Sequence, residues 1–243
     1  TPAFEENQPP SSTSSQSVPA EPEPAASQPS QGADTPRPLP KPPEGTAPAQ
    51  TYREALLEQA PFLYSDDMDF YYVEGEHTLE YLLLSDVPAL FAPDSDDAAV
   101  GFFAVVDLDG DGSQEVVLHT TDVANDMTGY LILRQTADGV WAFPSYWRTF
   151  WDLRTDGSFF YDNWSGSEAG YATVRFTETG CRLNKFLFCQ GEQMLYDTFF
   201  SNGQTISEEE YYAAQAQQEA KPLAQWQEFT PENLEAAFPQ AAS

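Results

Sequence analysis

The stretch that decides the fold is FFAVVDLDGDGSQEVVLH, residues 102–119. Two strand-like runs, 101–106 and 115–119, stand on either side of a loop of aspartates and glycines. Short apolar runs bounded by turn residues are typical of strands in a buried sheet. The stretch therefore predicts two neighbouring β-strands joined by a tight acidic loop.

The loop carries the donor atoms of a calcium site. Calcium takes about six to eight oxygen ligands, and aspartates at alternate positions of a curled loop aim their carboxylates at one centre. Gly112 permits the sharp turn that this needs. We expect a structural Ca²⁺ ion here, because a filled oxygen cage leaves no open position for a substrate. The expected ligands are the carboxylates of Asp107, Asp109 and Asp111, the backbone carbonyl of Ser113, and Glu115 directly or through a water.

A helix–loop–helix site and a plain turn are the two alternatives to this site. In a helix–loop–helix calcium site a bidentate glutamate stands at the twelfth position. That position holds Leu118, inside an apolar run, so a strand–loop–strand site is expected instead. A plain Asp-Gly turn that binds no ion is the alternative.

The residues 103–112, followed by 115–118, resemble the calcium loops of FG-GAP and VCBS-type repeats. Together with 147–150, 156–159 and 206–211, they also resemble uncharacterised secreted or lipid-anchored proteins of gut Gram-positive anaerobes. The resemblance implies a calcium site, an extracellular or cell-surface location, and a Pro/Ser-rich tether after a lipid-modified cysteine. It implies no known activity. The anchoring cysteine is not in this sequence, and a lipid anchor would lie outside this chain.

Composition divides the chain in two. Residues 1–50 hold thirteen of the twenty prolines and one aromatic residue, Phe4, and such a segment cannot bury enough apolar surface to fold. We expect a disordered tether over 1–50 and one domain over 51–243. The net charge of −29 repels nucleic acid and anionic membranes, so both are excluded as partners. No apolar run approaches the roughly 20 residues of a membrane-spanning helix.

The domain is predicted to be α+β. Turn signals, including Asp138-Gly139 and Asp156-Gly157, recur about every ten residues, which is the rhythm of an antiparallel meander. We expect one antiparallel sheet of about six to nine strands, with a few short flanking helices. A disulfide between Cys181 and Cys189 is one alternative, but if both lie on one strand they are too far apart to bridge, and we favour two buried free thiols.

Local signals mark the helices. A capping box, in which two side chains each satisfy a free backbone N–H, is predicted for Thr51 with Glu54 and for Ser207 with Glu210. A third helix is expected to begin after Thr230, with proline in its first turn. The run 78–84 fits a helix or a strand, and we favour a helix.

The remaining candidates concern ligands and catalysis. Exposed tryptophan rings stack on sugar or peptide faces, so Trp147, Trp151 and Trp164 are candidate contacts for a glycan, cell-wall or protein ligand, with core packing as the alternative. The two histidines are His77 and His119, and the sequence contains no nucleophile elbow such as G-x-S-x-G that could supply a serine for either of them to activate. The sequence therefore favours a calcium-stabilised binding or accessory module over the alternative, a glycan-acting enzyme with paired carboxylates.

Overall fold

The computed structural model describes residues 38–68, 76–122, 129–146, 148–163, 165–192 and 195–240. In chain order, its elements are α1 Tyr52–Leu56, β1 Phe62–Ser65, β2 Leu79–Leu82, α2 Val87–Phe91, β3 Ala99–Val106, β4 Glu115–Thr121, β5 Gly129–Thr136, β6 Gly139–Tyr146, β7 Phe159–Asp162, β8 Glu168–Phe176, β9 Cys181–Glu192, β10 Leu195–Ser201, β11 Gln204–Ile206, α3 Glu208–Glu219, β12 Gln227–Glu228 and α4 Pro231–Ala237. A 3-10 turn, Leu84–Asp86, precedes α2. The domain is therefore mostly β, with short helices, as predicted.

The strands form two sheets, and the prediction of a single antiparallel meander was wrong. The first sheet has seven strands in the order β12-β3-β4-β5-β6-β1-β2, and the second has five, β11-β10-β9-β8-β7. The first sheet is mixed, because β1 runs parallel to β6. Strongly twisted sheets rarely exceed about ten strands without splitting. The described residues form twelve strands, more than the six to nine predicted, and these divide into two sheets.

The sheets and helices form four layers. One apolar cluster joins side chains from both sheets, such as Ile132 of β5 and Val174 of β8, so the main core lies between the sheets. The other face of the first sheet packs on α1, α2 and α4. The other face of the second sheet packs on Tyr211 of α3. Alternation of side chains along each strand supplies both faces with apolar residues.

The helix-capping residues predicted from the sequence cap helices in the structure. Both predicted capping boxes are present, at Thr51 with Glu54 and at Ser207 with Glu210. Thr230 caps α4, and Pro231 is its first residue. The run 78–84 is not a helix: Leu79–Leu82 is strand β2, which pairs antiparallel with β1. Tertiary pairing overrides a weak local preference here.

The boundary of the packed domain lies before Thr51. The compact unit begins at Leu39. Ala49 is fully buried, its N–H donates to Pro61 O (2.8 Å), and its carbonyl accepts from Val140 N (2.9 Å). The last residues of the predicted tether are thus bound to the sheet. Residues 1–37 lie outside the described residues.

Two buried charged groups, Arg154 and Glu168, make hydrogen bonds in and beside the second sheet. The guanidinium of Arg154 donates to the carbonyls of Glu219 (3.1 Å) and Lys221 (2.7 Å) at the end of α3. Burial alone would raise the pKa of Glu168, but hydrogen bonds, first from Lys185 (2.5 Å), outweigh it and hold that pKa below its ordinary value. Both charged groups have hydrogen-bond partners, as buried charges need to, although Arg154 Nε has none among the described residues.

The two cysteines lie on β9, and both are buried. They stand eight positions apart along this one strand, which places them well beyond bridging distance of each other at about 3.4 Å per residue. The prediction that both are buried on a single strand is confirmed.

Candidate metal centre

The acidic loop connects β3 to β4 as the sequence predicts. Val106, the last residue of β3, pairs with Glu115, the first residue of β4. Between them the backbone curls through Gly110 (φ +77°) and Gly112 (φ +90°). An L-residue rarely adopts this conformation, whereas glycine does so without cost. The two glycines therefore let the chain reverse within the loop and bring its ends together.

Backbone N–H groups fix the aspartate side chains of the loop. Asp107 Oδ1 accepts from Gly110 N (2.8 Å), and its Oδ2 accepts from Gly112 N (2.9 Å). Asp109 Oδ1 accepts from Asp111 N at 3.2 Å. Side chains that hydrogen-bond to the backbone a few residues on are typical of Asp in tight turns. Their carboxylates are thus held in place without any lysine or arginine in the loop.

Three carboxylates converge on one point. One oxygen from each of Asp107, Asp109 and Glu115 lies within 4.8 Å of the other two. Such a group of oxygens could hold a metal ion, because hard cations are bound by carboxylates gathered at one centre. Neither histidine nor cysteine belongs to this cluster.

Glu115 is the unusual member of the cluster. It lies on the face of β4 that points between the sheets and is only 1% exposed. Its Oε2 accepts from Leu108 N (2.9 Å), while Oε1 accepts no hydrogen bond from the residues that the structure describes. Burial raises the pKa of Glu115 to about 7, and the nearby Asp109 and Asp111 add to this. A buried oxygen without a partner costs free energy unless an ion or water binds it.

One cation of the protein stands beside the cluster. Arg134 of β5 places its guanidinium 3.8 Å from Asp109 Oδ2 and 3.5 Å from Asp111 Oδ2. The same group lies 4.4 Å from the ring centre of Phe176 on β8. Arg134 thus places one positive charge beside Asp109 and Asp111, and it also opposes the rise in the pKa of the buried Glu115.

The loop is also a contact between the two sheets. The side chain of Leu108 is fully buried in the core between them. Its carbonyl accepts from Val174 N of β8 at 3.3 Å. Gly157, in the predicted Asp-Gly turn, lies so close that an added Cβ would be 2.9 Å from Leu108 Cα. On the helical side, Tyr52 of α1 donates its hydroxyl to Gln114 O at 2.8 Å.

The predicted ligands divide into two groups. The structure brings Asp107, Asp109 and Glu115 together. Asp111 lies outside that cluster: its Oδ1 accepts from Ser113 N (2.7 Å), and its Oδ2 faces Arg134. The roles of Asp111 and of the Ser113 carbonyl as ligands stay predictions. The contacts that Arg134 and the Gly157 turn make with the loop were not expected from the sequence, since each reaches the loop from a distant part of the chain.

The structure describes only one of the three tryptophans predicted to contact a ligand. Trp147 and Trp164 lie outside the described residues. Trp151 is 38% exposed, and its ring stacks on Phe160 with a centroid distance of 6.0 Å and an interplanar angle of 2°. The run 150–154 forms only isolated bridges, at Trp151 and Arg154.

Comparison of the chain with known protein families, with characterised proteins and with solved structures finds no match. Within the described ranges, no helix is long and apolar enough to cross a membrane. Function therefore has to be argued from the loop and the surfaces of the domain themselves.

Proposed function

We propose that the 107–115 loop binds a structural Ca²⁺ ion, and that the domain is a calcium-stabilised binding or accessory module exported to the cell surface. The observation that carries this proposal is the convergence of the Asp107, Asp109 and Glu115 carboxylates. Glu115 adds an oxygen that is buried and unpartnered among the described residues. An ion at this point would give that oxygen the partner it lacks.

The donor set favours calcium over other metals. Zinc and copper prefer histidine and cysteine ligands, and the cluster contains only carboxylates. Magnesium requires near-ideal octahedral geometry at about 2.0–2.1 Å, whereas calcium accepts irregular cages with ligands at about 2.3–2.6 Å. A nine-residue loop with two glycines supplies an irregular cage. Backbone carbonyls and the carboxylate of Asp111 are available to complete it.

Electrostatics support the same ion. Three carboxylates within 4.8 Å repel one another, and the pKa of Glu115 is raised to about 7 by burial and by its acidic neighbours. A divalent cation between the three carboxylates offsets this repulsion and favours the ionised form of all three groups. Arg134, beside Asp109 and Asp111, supplies one positive charge against these carboxylates.

The position of the loop indicates what the ion would do. Leu108, between the first two aspartates, is anchored in the core and hydrogen-bonded to β8. An ion that fixes this loop therefore stabilises the contact between the two sheets. Extracellular calcium modules bind with dissociation constants of about 10⁻⁴–10⁻³ M, which suits a domain that works outside the cell.

The wider function follows from the surface charge and the tail. A net charge of −29 and a Pro/Ser-rich segment before the compact unit, which begins at Leu39, are typical of a soluble domain held away from a surface. The resemblance to secreted and lipid-anchored proteins agrees with this. The partner would be a glycan, cell-wall or protein ligand.

Thermal unfolding with calcium, with magnesium and with EDTA tests the ion site. Calcium at ten times its dissociation constant stabilises the folded state by about 1.4 kcal/mol, which raises Tm by about 3–6 °C in a domain of this size. The test variant is Asp109→Asn. The matched control is Asp138→Asn, which removes the same charge from the exposed Asp138-Gly139 turn.

We expect calcium to raise Tm in the parent and in Asp138→Asn, and to have no effect on Asp109→Asn. Equal responses to calcium in both variants would show that the ion binds the acidic surface in general. If the Tm of the parent does not respond to calcium, the loop is a plain turn that binds no ion.

A further inference from the structure

The buried side chain of Tyr52 reaches from α1 to the end of the acidic loop. Its hydroxyl donates to Gln114 O at 2.8 Å and accepts from Gln135 N at 2.9 Å. On the side of the loop, the β4–β5 pairing ends at Val116 opposite Leu133. Two residues further on, the same register would place Gln114 opposite Gln135. The tyrosine hydroxyl therefore bridges these two strands at the position next to the loop.

The hydrogen bond from Tyr52 ends on a peptide group of the candidate ion site. Gln114 O belongs to the peptide group that joins Gln114 to Glu115, one of the three converging carboxylates. An ion bound by Glu115 would hold this peptide group in place. Without an ion, the three carboxylates repel one another and Glu115 Oε1 accepts no hydrogen bond from the described residues. The Tyr52 hydrogen bond is therefore sensitive to an ion in the loop.

Tyr52 belongs to the segment that leads into the domain. We call this segment the junction and define it as residues 39–57, from the start of the compact unit to the C-cap of α1. Ala49 and Ala55 of the junction are fully buried in the core under the first sheet. Arg53 Nη1 donates to Phe238 O at 2.9 Å, beyond the end of α4. Among the described residues, the Tyr52 hydroxyl makes the one hydrogen bond between the junction and the loop.

We propose that Tyr52 couples the junction to the calcium loop, so that a bound ion keeps the junction closed and protects it from proteases. A cut in the junction separates the domain from the Pro/Ser-rich part of the chain. When calcium falls, the Tyr52 hydrogen bond weakens, the junction opens more often, and cleavage releases the domain. This inference rests on the proposed calcium site and names a process that the site regulates.

The coupling has a reciprocal effect on the ion. If calcium favours the closed junction by a given factor, the closed junction favours calcium by the same factor. Tyr52 is therefore a positioning residue of the ion site, which acts through the Gln114 carbonyl. A purely structural tyrosine would stabilise the fold without changing the calcium affinity.

Limited trypsin digestion of the full chain, in calcium and in EDTA, tests the coupling. Arg53 is the first residue at which trypsin can cut, because Arg37 and Lys41 are each followed by proline. Cleavage at Arg53 reports opening of the junction, whereas cleavage at Arg175, inside β8, reports unfolding of the second sheet. Cleavage of a transiently open segment follows its population. An unstructured peptide in the same reaction normalises the activity of trypsin.

The test variant is Tyr52→Phe, which removes the hydroxyl and keeps the ring. The matched control is Tyr161→Phe, because Tyr161 is also buried and its hydroxyl donates to Glu168 Oε1 at 3.0 Å rather than to the loop. Titration calorimetry measures the calcium affinity of each protein, and thermal unfolding measures its calcium response.

We expect the parent and Tyr161→Phe to be cut at Arg53 before Arg175, and calcium to slow this first cut at least about fivefold. In Tyr52→Phe, calcium should no longer slow the cut, and the dissociation constant of calcium should rise by the same factor. Cuts at Arg53 and Arg175 at equal rates, equal calcium effects in Tyr52→Phe and the parent, or an unchanged dissociation constant would overturn the coupling. If the Tm of the parent still rises with calcium in these cases, the ion site stands without the coupling. If it does not rise, the proposed function fails as well.

Discussion

Replacing Gly157 by alanine tests the contact between the acidic loop and the second Asp-Gly turn. Gly157 has φ +78°, and a left-handed conformation costs an L-residue about 1–2 kcal/mol. A Cβ there would also collide with the carbonyl oxygen of Asp107 and lie 3.0 Å from that of Leu108. Extra atoms in a packed region cost about 1–3 kcal/mol. The expected loss is therefore about 2–5 kcal/mol.

Gly203→Ala provides the matched control. Gly203 has φ +77°, and an added Cβ would meet no atom within 4 Å. This variant therefore reports the backbone cost alone, about 1–2 kcal/mol. The difference between the two variants isolates the crowding against Asp107 and Leu108.

Urea unfolding of both variants in calcium and in EDTA measures this difference. We expect Gly157→Ala to be the less stable by about 1–3 kcal/mol, and to respond less to calcium because its loop is displaced. Gly203→Ala should keep the full calcium response. Equal losses of stability in the two variants would refute the reasoning, because crowding of a Cβ at position 157 against the loop would then add nothing to the loss of stability.

Three further predictions concern the core and its buried charges. Leu108→Ala should lower the free energy of unfolding by about 2–5 kcal/mol, whereas Leu195→Ala, at a site 77% exposed, should change it by less than about 0.5 kcal/mol in urea unfolding. Hydrogen bonds outweigh burial and hold the folded-state pKa of Glu168 below its ordinary value. Its contribution is therefore complete above the unfolded pKa of about 4.3 and is lost as pH falls through the folded pKa. Glu168→Gln should thus lose less stability than the parent when Tm is followed into acid, and an equally steep fall would contradict this sign. Arg154→Met should cost about 1.5–3 kcal/mol, since α3 loses the donors at its last carbonyls, and an unchanged urea midpoint would show that water replaces them.

The features that the sequence predicted correctly depend on neighbours in the chain. The two strands around the acidic loop, the hairpin at Asp138-Gly139 and the capped helices are all set by residues within about ten positions of one another. Turn chemistry and capping act over this range. The three carboxylates that converge were likewise named by their spacing in the loop.

The features that the sequence did not reveal depend on distant partners. Strand β1 and its parallel pairing with β6 leave no local signal, because the partners Leu63 and Trp141 are about 80 residues apart. The helix favoured for 78–84 was wrong for the same reason, as Leu82 pairs with Phe62. The burial of Glu115 between the sheets could not be seen either, since it follows from the packing of β8 and the Gly157 turn over the loop.

The parallel pairing of β1 with β6 has a consequence for synthesis of the chain. Phe62, Leu63 and Tyr64 are all buried in the folded domain, yet they leave the ribosome long before β6. At roughly 5–20 residues per second, the delay of about 80 residues lasts roughly 4–16 s. During that time an apolar strand without its partner edge is a site for aggregation. Under the proposed export, the chain would therefore gain from a helper protein that covers this strand until the first sheet can close.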